Sequence, residues 1–193
     1  MMAFLTSCGA SMELLSGLHD AAPAGEKDPN PGEPEDHALG RSRGGWGSKI
    51  HILCDGKGHP LHFELSAGQT HDSTMLDALL VGADGSLQDQ HGRPRAWPVA
   101  LAGDKGYRAA WIDAYLMRLG ISPVIPSKKG DLEENRLVPF DKAAYRRRSI
   151  VEQLIGWLKE SRRIVTRFEK TAVNFGGMVK LAFIHRYFRL SGA

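Results

Sequence analysis

Tyr145, Arg148, Glu152 and Lys159 stand at steps of three, four and seven residues. In one continuous helix of 3.6 residues per turn, those steps put all four side chains on one face. A carboxylate flanked by Arg and Lys suits phosphoryl transfer. The glutamate holds a divalent cation, and the fixed positive charges hold the phosphates of a nucleic-acid strand. The same spacing also suits a solvated helix in which Arg148 and Glu152 pair across one turn. A second acid, Asp104, directly follows the apolar run Pro98–Gly103. Open α/β sheets place their sites at the carboxyl ends of strands. Gly103 and Gly106 leave room around Asp104 for a cation or phosphate. The competing reading is that Asp104 only N-caps a helix starting at Arg108. Two carboxylates converging from separate elements are the core of a two-metal site.

The elements that must carry these groups can be read from pattern. Residues 1–20 are apolar without clear periodicity, and residues 21–47 are rich in Gly, Pro and charge, which reads as an exposed loop. Ser48–Asp55 and Pro60–Ala67 flank Asp55-Gly56-Lys57-Gly58, the pattern of a hairpin. Thr70–Leu80 begins with Thr-His-Asp-Ser and then turns apolar, which predicts a capped helix. Strands are expected at Pro98–Gly103 and Ile121–Pro126, joined by a helix at Arg108–Leu119. One long helix is expected from Asp141 to about Arg163, with Val151, Leu154, Ile155 and Leu158 as its buried stripe. A last helix covers Ala172–Leu190, with Phe183, Ile184, Tyr187 and Phe188 packed inward. The order suggests a mixed sheet covered by helices.

Composition narrows the function. Of 193 residues, 42% are hydrophobic and 24% charged, which is the balance of a chain with a globular core. No apolar run reaches the roughly 20 residues of a membrane span, so no membrane partner is expected. Cys8 and Cys54 form neither a CxxC pair nor a disulfide framework, which argues for a reducing cytoplasm and against thiolate zinc. The net charge of +3 is uneven. From Lys142 onward there are twelve Lys/Arg and three Glu, against thirteen Lys/Arg and nineteen Asp/Glu before it. A basic end on an acidic body points to a polyanion, and the runs Arg146–Arg148 and Arg162–Arg163, then Arg167 and Lys170, are dense.

Four segments together resemble a known family. They are AGDKGY (Ala102–Tyr107), the Tyr145/Arg148/Glu152/Lys159 register, GRSRGG (Gly40–Gly45) followed by Lys49-Ile50-His51, and GQTHDS (Gly68–Ser73). In this order and spacing the chain resembles the IS5 group of bacterial insertion-sequence transposases, within the larger IS4-like DDE class. The resemblance runs from about Ala21 to the C-terminus. It implies an α/β fold: an RNase H-like mixed sheet flanked by helices, with residues 48–193 forming part of the catalytic domain. It implies DNA cleavage and strand transfer with Mg²⁺ or Mn²⁺ during transposition, on transposon terminal repeats and target DNA. It also implies an oligomer of identical chains when active, and a cytoplasmic, nucleoid-associated location. By the same resemblance Asp104 and Glu152 match catalytic, metal-holding acids. Tyr145, Arg148 and Lys159 match DNA contacts, Arg147 is a further DNA-binding candidate, and Arg41 and Arg43 are candidates for wrapping phosphates.

One departure matters. The family's first aspartate lies on the first strand, and no Asp occupies that region here; Glu13 and Asp20 are the nearest acids. Residues 1–20 are unmatched, so the first strand is expected to be missing or replaced, with Met1–Cys8 as a surrogate, and the element truncated. The rival function is a catalytically dead DNA- or transposase-binding remnant acting as an inhibitor. His51, His62, His71 and Asp72 lack paired metal-ligand spacing, and His71-Asp72 reads as a helix cap.

Overall fold

The structure, a computed structural model, describes residues 2–11, 33–42, 45–86, 91–93, 96–131 and 136–190. Glu13, Asp20 and Arg43 lie outside the described residues. Among the described residues the strands are β1 (Met2–Ser11), β2 (Gly40–Ser42), β3 (Gly45–Asp55), β4 (Pro60–Ala67), β5 (Ala100–Ala102) and β6 (Ser122–Val124). They form one mixed sheet in the order β2-β3-β1-β5-β6, with β4 also paired to β3. The helices are α1 (Leu76–Ser86), α2 (Ala110–Arg118), α3 (Lys142–Arg146), α4 (Ser149–Lys159), α5 (Arg162–Val165) and α6 (Ala172–Leu190). Two 3₁₀ turns, Asp72–Met75 and Lys105–Tyr107, precede α1 and α2. The mixed sheet flanked by helices is the architecture the resemblance implies.

The chain divides into two compact units. The first is Met1–Cys8, His51–Glu64 and His71–Trp157; the second is Gly9–Ile50, Leu65–Thr70 and Leu158–Ala193. In the first unit β1 fills the place expected to lack a strand. It pairs in parallel with β5, Met2 opposite Ala100 and Phe4 opposite Ala102, and β5 pairs in parallel with β6. Both faces of β1 are covered, since Phe4 and Leu5 are fully buried. A strand buried on both sides reads as a continuous apolar run without alternation. Ala3 and Leu5 join Leu53, Leu101, Tyr107 and the buried residues of α1 and α2 in one core.

Two glycines fix close approaches in this unit. A Cβ on Gly82 of α1 would sit 2.2 Å from His62 Nε2 of β4, so any larger residue there would require the His62 ring to move. At the β3–β4 turn Gly58 has φ +81°, a left-handed conformation that favours glycine. A Cβ there would also come within 3.1 Å of Ile150 Cγ2. Asp55 closes the turn, its carboxylate accepting from the backbone N–H of Lys57 (2.8 Å) and His59 (3.0 Å).

The long helix expected from Asp141 to Arg163 is instead three pieces, α3, α4 and α5. Asp141 caps the first piece, accepting from Ala144 N at 2.8 Å. After Arg146 the backbone tightens: Arg147, Arg148, Ile150 and Val151 each donate to the carbonyl three residues back. This is 3₁₀ pairing, which overwinds the chain. At this joint two adjacent arginines go to different places. Arg147 lies near the hairpin turn, its Nη2 3.3 Å from where a Gly56 Cβ would stand. Arg148 instead turns back to Glu152. The buried stripe of Val151, Leu154 and Leu158 holds on α4, with Ile155 only partly covered. On α6 the buried residues are Ala172, Phe175, Gly176, Val179 and Phe183, whereas Ile184, Tyr187 and Phe188 are exposed, so of the expected inward residues only Phe183 is buried and the stripe lies nearer the start of the helix.

The second unit is organised around a buried cation. Arg167, counted above with the basic surface, is 1% exposed. Its guanidinium donates to Ser48 Oγ, Ala38 O, Glu169 O and Lys170 O, and it lies 5.1 Å from the centre of the Phe175 ring. It is therefore not available to a polyanion. Glu33 caps α6 from a distant segment, accepting from Ala172 N (2.6 Å) and Val173 N (2.8 Å). Burial pushes the Glu33 carboxyl up. The two backbone N–H groups and His37 outweigh that and leave it below its ordinary value. The GRSRGG segment is not a free loop: Gly40, Arg41 and Ser42 pair antiparallel with Gly47, Trp46 and Gly45.

Two outcomes follow from the second unit. Arg167→Lys keeps the charge but cannot offer a planar fork to four oxygens. It is expected to destabilise by about 2–4 kcal/mol, read as a lower urea midpoint at unchanged slope. For Glu33, a folded pKa below the unfolded value means its stabilisation is complete above the ordinary Glu range and disappears as pH falls through the lowered value. Glu33→Gln is expected to cost about 1 kcal/mol at pH 7, and the gap to the parent should close as pH falls through the lowered Glu33 value. A gap that persists in acid would show that the charge is not the source.

Candidate active site

Asp104 leaves the sheet directly after β5. Gly103 N still pairs with Val124 O (3.3 Å), and then the backbone turns out of the strand. The Asp104 carboxylate accepts from Gly106 N at 2.8 Å, which caps the 3₁₀ turn Lys105–Tyr107. Both readings of Asp104 thus have a basis in geometry. It caps a turn, although not the helix at Arg108, and it stands at a strand end. Two of its surroundings bear on chemistry.

The first is Asp72, on the 3₁₀ turn before α1. A Cβ on Gly106 would lie 2.5 Å from Asp72 Oδ2 and 2.9 Å from Asp104 Oδ1. Two carboxylate oxygens therefore flank one glycine, in space that a methyl group would fill. The expected cap at His71-Asp72 divides into two roles. His71 is the cap, with Nδ1 accepting from Ser73 N and sharing a 2.7 Å hydrogen bond with Ser73 Oγ. Asp72 faces Gly106 and Asp104. Sequence reasoning missed it because one local motif explained both residues. The available signal was that one cap needs only one side chain.

The second is Arg148. Its Nη2 donates to Glu152 Oε1 at 2.7 Å, and its guanidinium lies 5.6 Å from the centre of the Tyr145 ring. Its charge also reaches Asp104. Burial pushes the Asp104 carboxyl up, the Gly106 N–H pulls it down, the Asp72 charge pushes it up again, and Arg148 pulls it down; the net is a raised pKa. Arg148 therefore acts electrostatically on both acids singled out in the sequence, Asp104 and Glu152. A desolvated carboxylate beside a like charge is stabilised by any cation that enters.

The remaining candidates divide by place. Tyr145 ends α3 half-buried against Phe140, with ring centroids 5.3 Å apart. Arg147 is exposed beside the hairpin turn. Lys159 is exposed at the last residue of α4, two turns beyond Glu152, and Arg41 is exposed on β2. The 3₁₀ joint between α3 and α4 means that Tyr145 and Glu152 do not share one regular helix face. On β1, continuing the pairing of Phe4 with Ala102 brings Thr6 level with Asp104. Thr6 is 3% exposed and carries no charge.

The donors near Asp104 are all carboxylate oxygens, the ligand type that suits hard cations such as Mg²⁺ and Mn²⁺. Among the described residues, no three His, Cys, Asp or Glu side chains converge as a ready metal cage. The fit is therefore to a cation held by two protein carboxylates and completed by water or substrate oxygens, as Mg²⁺ usually is. Also among the described residues, no helix is long and apolar enough to cross a membrane.

Comparison with known proteins agrees with the segments identified above. A protein named as a transposase of insertion sequence element IS402, from Burkholderia cepacia, is 30% identical over 135 residues. The match covers 70% of this chain and 60% of that protein, so the chain spans about three fifths of the length of this relative. Among solved structures, the Mos1 mariner paired-end complex with Mn is 14% identical and aligns over 94% of this chain and 52% of its own, with a TM-score of 0.39. The Mos1 strand transfer complex is 11% identical over 88% of this chain and 56% of its own, with a TM-score of 0.38. Likeness at that level bears on neither the site nor the reaction. The family described as Transposase DDE domain matches residues 27–185. With more than four fifths of its length inside that match, the chain belongs to the transposase DDE domain family.

Proposed function

We propose that this chain performs metal-dependent cleavage and strand transfer of DNA, with the reacting phosphate at the carboxyl end of β5. The observation that carries the reading is the grouping of Asp104, Asp72 and Arg148 around Gly106 and the start of α4. Asp104 and Asp72 would hold a divalent cation, Mg²⁺ or Mn²⁺, with Glu152 the third acid once Arg148 releases it. When bound, the cation lowers the pKa of an attacking water or 3′ hydroxyl and neutralises the leaving oxygen.

The chain's own residues do the rest. Asp104 is fixed by the Gly106 N–H, so its carboxylate is oriented before substrate arrives. Arg148 has two roles in succession. Without DNA it neutralises Glu152 and tempers Asp104. With DNA its guanidinium moves to a phosphate, for which it is a better partner than an exposed carboxylate. Arg147, Lys159 and Arg41 add phosphate contacts that position the strand without reading its bases. Tyr145 supports Arg148 through its ring face. On this reading Asp72 makes up the acid that β1 lacks, since Thr6 stands level with Asp104. The DNA partners are the transposon ends and the target, joined by an assembly of identical chains.

Asp104→Asn separates catalysis from folding. It is expected to abolish Mg²⁺-dependent cleavage of end-bearing duplex DNA, because an amide cannot replace a carboxylate as cation ligand. The same change is expected to raise Tm. A carboxylate with a raised folded pKa destabilises the fold above that value, and Asn removes the charge while still accepting from Gly106 N. Each kcal/mol relieved is worth about 2–4 °C in a chain of this size. The parent should gain on the variant as pH falls through the raised Asp104 value. Undiminished cleavage by Asp104→Asn and Glu152→Gln would remove the metal role of those two acids, whereas no cleavage by the parent itself would be the outcome expected of a catalytically dead DNA-binding remnant. Arg148→Ala and Lys159→Ala are expected to weaken DNA binding and to lower the slope of log affinity against log salt by about one each. An unchanged slope would take those two residues off the phosphate path.

A further inference from the structure

We infer that Tyr107, held by His51, is a positioning residue for Asp104. The inference rests on the proposed role of Asp104 as a cation ligand. The turn Lys105–Tyr107 is only one 3₁₀ turn long, and Asp104 sits at its start. Such a turn has too few internal hydrogen bonds to be rigid by itself. Its far end is fixed by the core. Tyr107 is fully buried, its N–H donates to Asp104 O at 3.1 Å, and its Cβ lies 3.5 Å from where a Gly103 Cβ would stand. The Tyr107 side chain thus starts beside the residue preceding Asp104.

A phenol hydroxyl buried that deeply needs a polar partner. His51 on β3, itself fully buried, supplies one: its Nδ1 and Tyr107 Oη share a hydrogen bond of 3.2 Å. An imidazole has no packing advantage in an apolar core, and the neighbours Ile50, Ile52, Leu53 and Cys54 are apolar and buried. What His51 adds is a directional contact. It fixes how deep the Tyr107 ring lies, hence the pitch of the turn, and through Gly106 N the direction of the Asp104 carboxylate. Groups that orient metal-binding side chains commonly change metal affinity 10–100-fold when altered.

The experiment titrates Mn²⁺ alone into the 193-residue chain and its variants, reading free Mn²⁺ by EPR. Metal-free Tm and the affinity for duplex DNA in EDTA are measured alongside. Tyr107→Phe removes one oxygen and keeps the ring. It is expected to weaken Mn²⁺ binding about tenfold, with metal-free DNA affinity unchanged and a cooperative melt retained. His51→Phe should match it, whereas His51→Asn, which keeps a hydrogen-bonding group near Nδ1, should recover most of the loss. Mn²⁺ affinity within twofold of the parent in folded Tyr107→Phe would overturn the inference, as would equal losses in His51→Asn and His51→Phe. Asp104→Asn separates the two readings. If it loses Mn²⁺ and Tyr107→Phe does not, the positioning role fails and the ligand role stands. If Asp104→Asn binds Mn²⁺ as the parent does, the ligand role fails and the positioning role with it.

Discussion

A charge held partly out of water at the end of a strand is the constraint around which the first unit is arranged. Asp104 is desolvated and faces Asp72, and both effects raise its pKa. The fold offsets this with backbone N–H groups, chiefly that of Gly106 and more weakly that of Tyr107, and with the guanidinium of Arg148. None of these contacts is free of other demands. The N–H groups belong to a turn held by Tyr107, and Arg148 is shared with Glu152. The carboxylate is thus kept in place without being fully satisfied. That residual field is what a divalent cation would answer. A fold selected for stability alone would have no reason to bring Asp72 and Asp104 to the same glycine.

Strand β1 makes the arrangement possible. It lies between β3 and β5, and its parallel register with β5 sets where the Asp104 turn begins. Residues Met2–Leu5 do this with apolar side chains that the core requires on both faces. Strand pairing asks only for apolar bulk and a backbone, so a segment unmatched to the family can still occupy the centre of the sheet. Chemistry is more demanding. At the level of Asp104 the strand offers Thr6, and a hydroxyl cannot serve as a carboxylate does toward a cation. Structural and chemical roles of one strand have come apart here.

Much of this was legible in the sequence. The hairpin was marked by Asp55-Gly56-Lys57-Gly58 between two runs, and β4 and α6 have the bounds that pattern implied. Asp104 was identified by its place after an apolar strand. Three things were hidden, each for a physical reason. Strand β1 has no alternation because both faces are buried. The joint at Arg147–Arg148 contains neither Gly nor Pro, so nothing local announces a break, and the adjacent arginines part there toward the hairpin turn and toward Glu152. Arg167 carries the same formal charge as its exposed neighbours, and a charge count cannot separate a buried hub from a solvated surface. Asp72 was hidden differently, since a sufficient local explanation masked a tertiary one.

The left-handed turn at Gly58 gives the hairpin tip an influence beyond its own loop. Ile150 rests on that glycine, two residues after Arg148 and two before Glu152. Any larger residue at position 58 would meet both backbone strain and the Ile150 methyl. The Ile150 side chain would then have to give by a few tenths of an ångström, at the segment that also carries Arg148. An apolar contact thereby ties the tip of a hairpin to the segment that carries both Arg148 and Glu152.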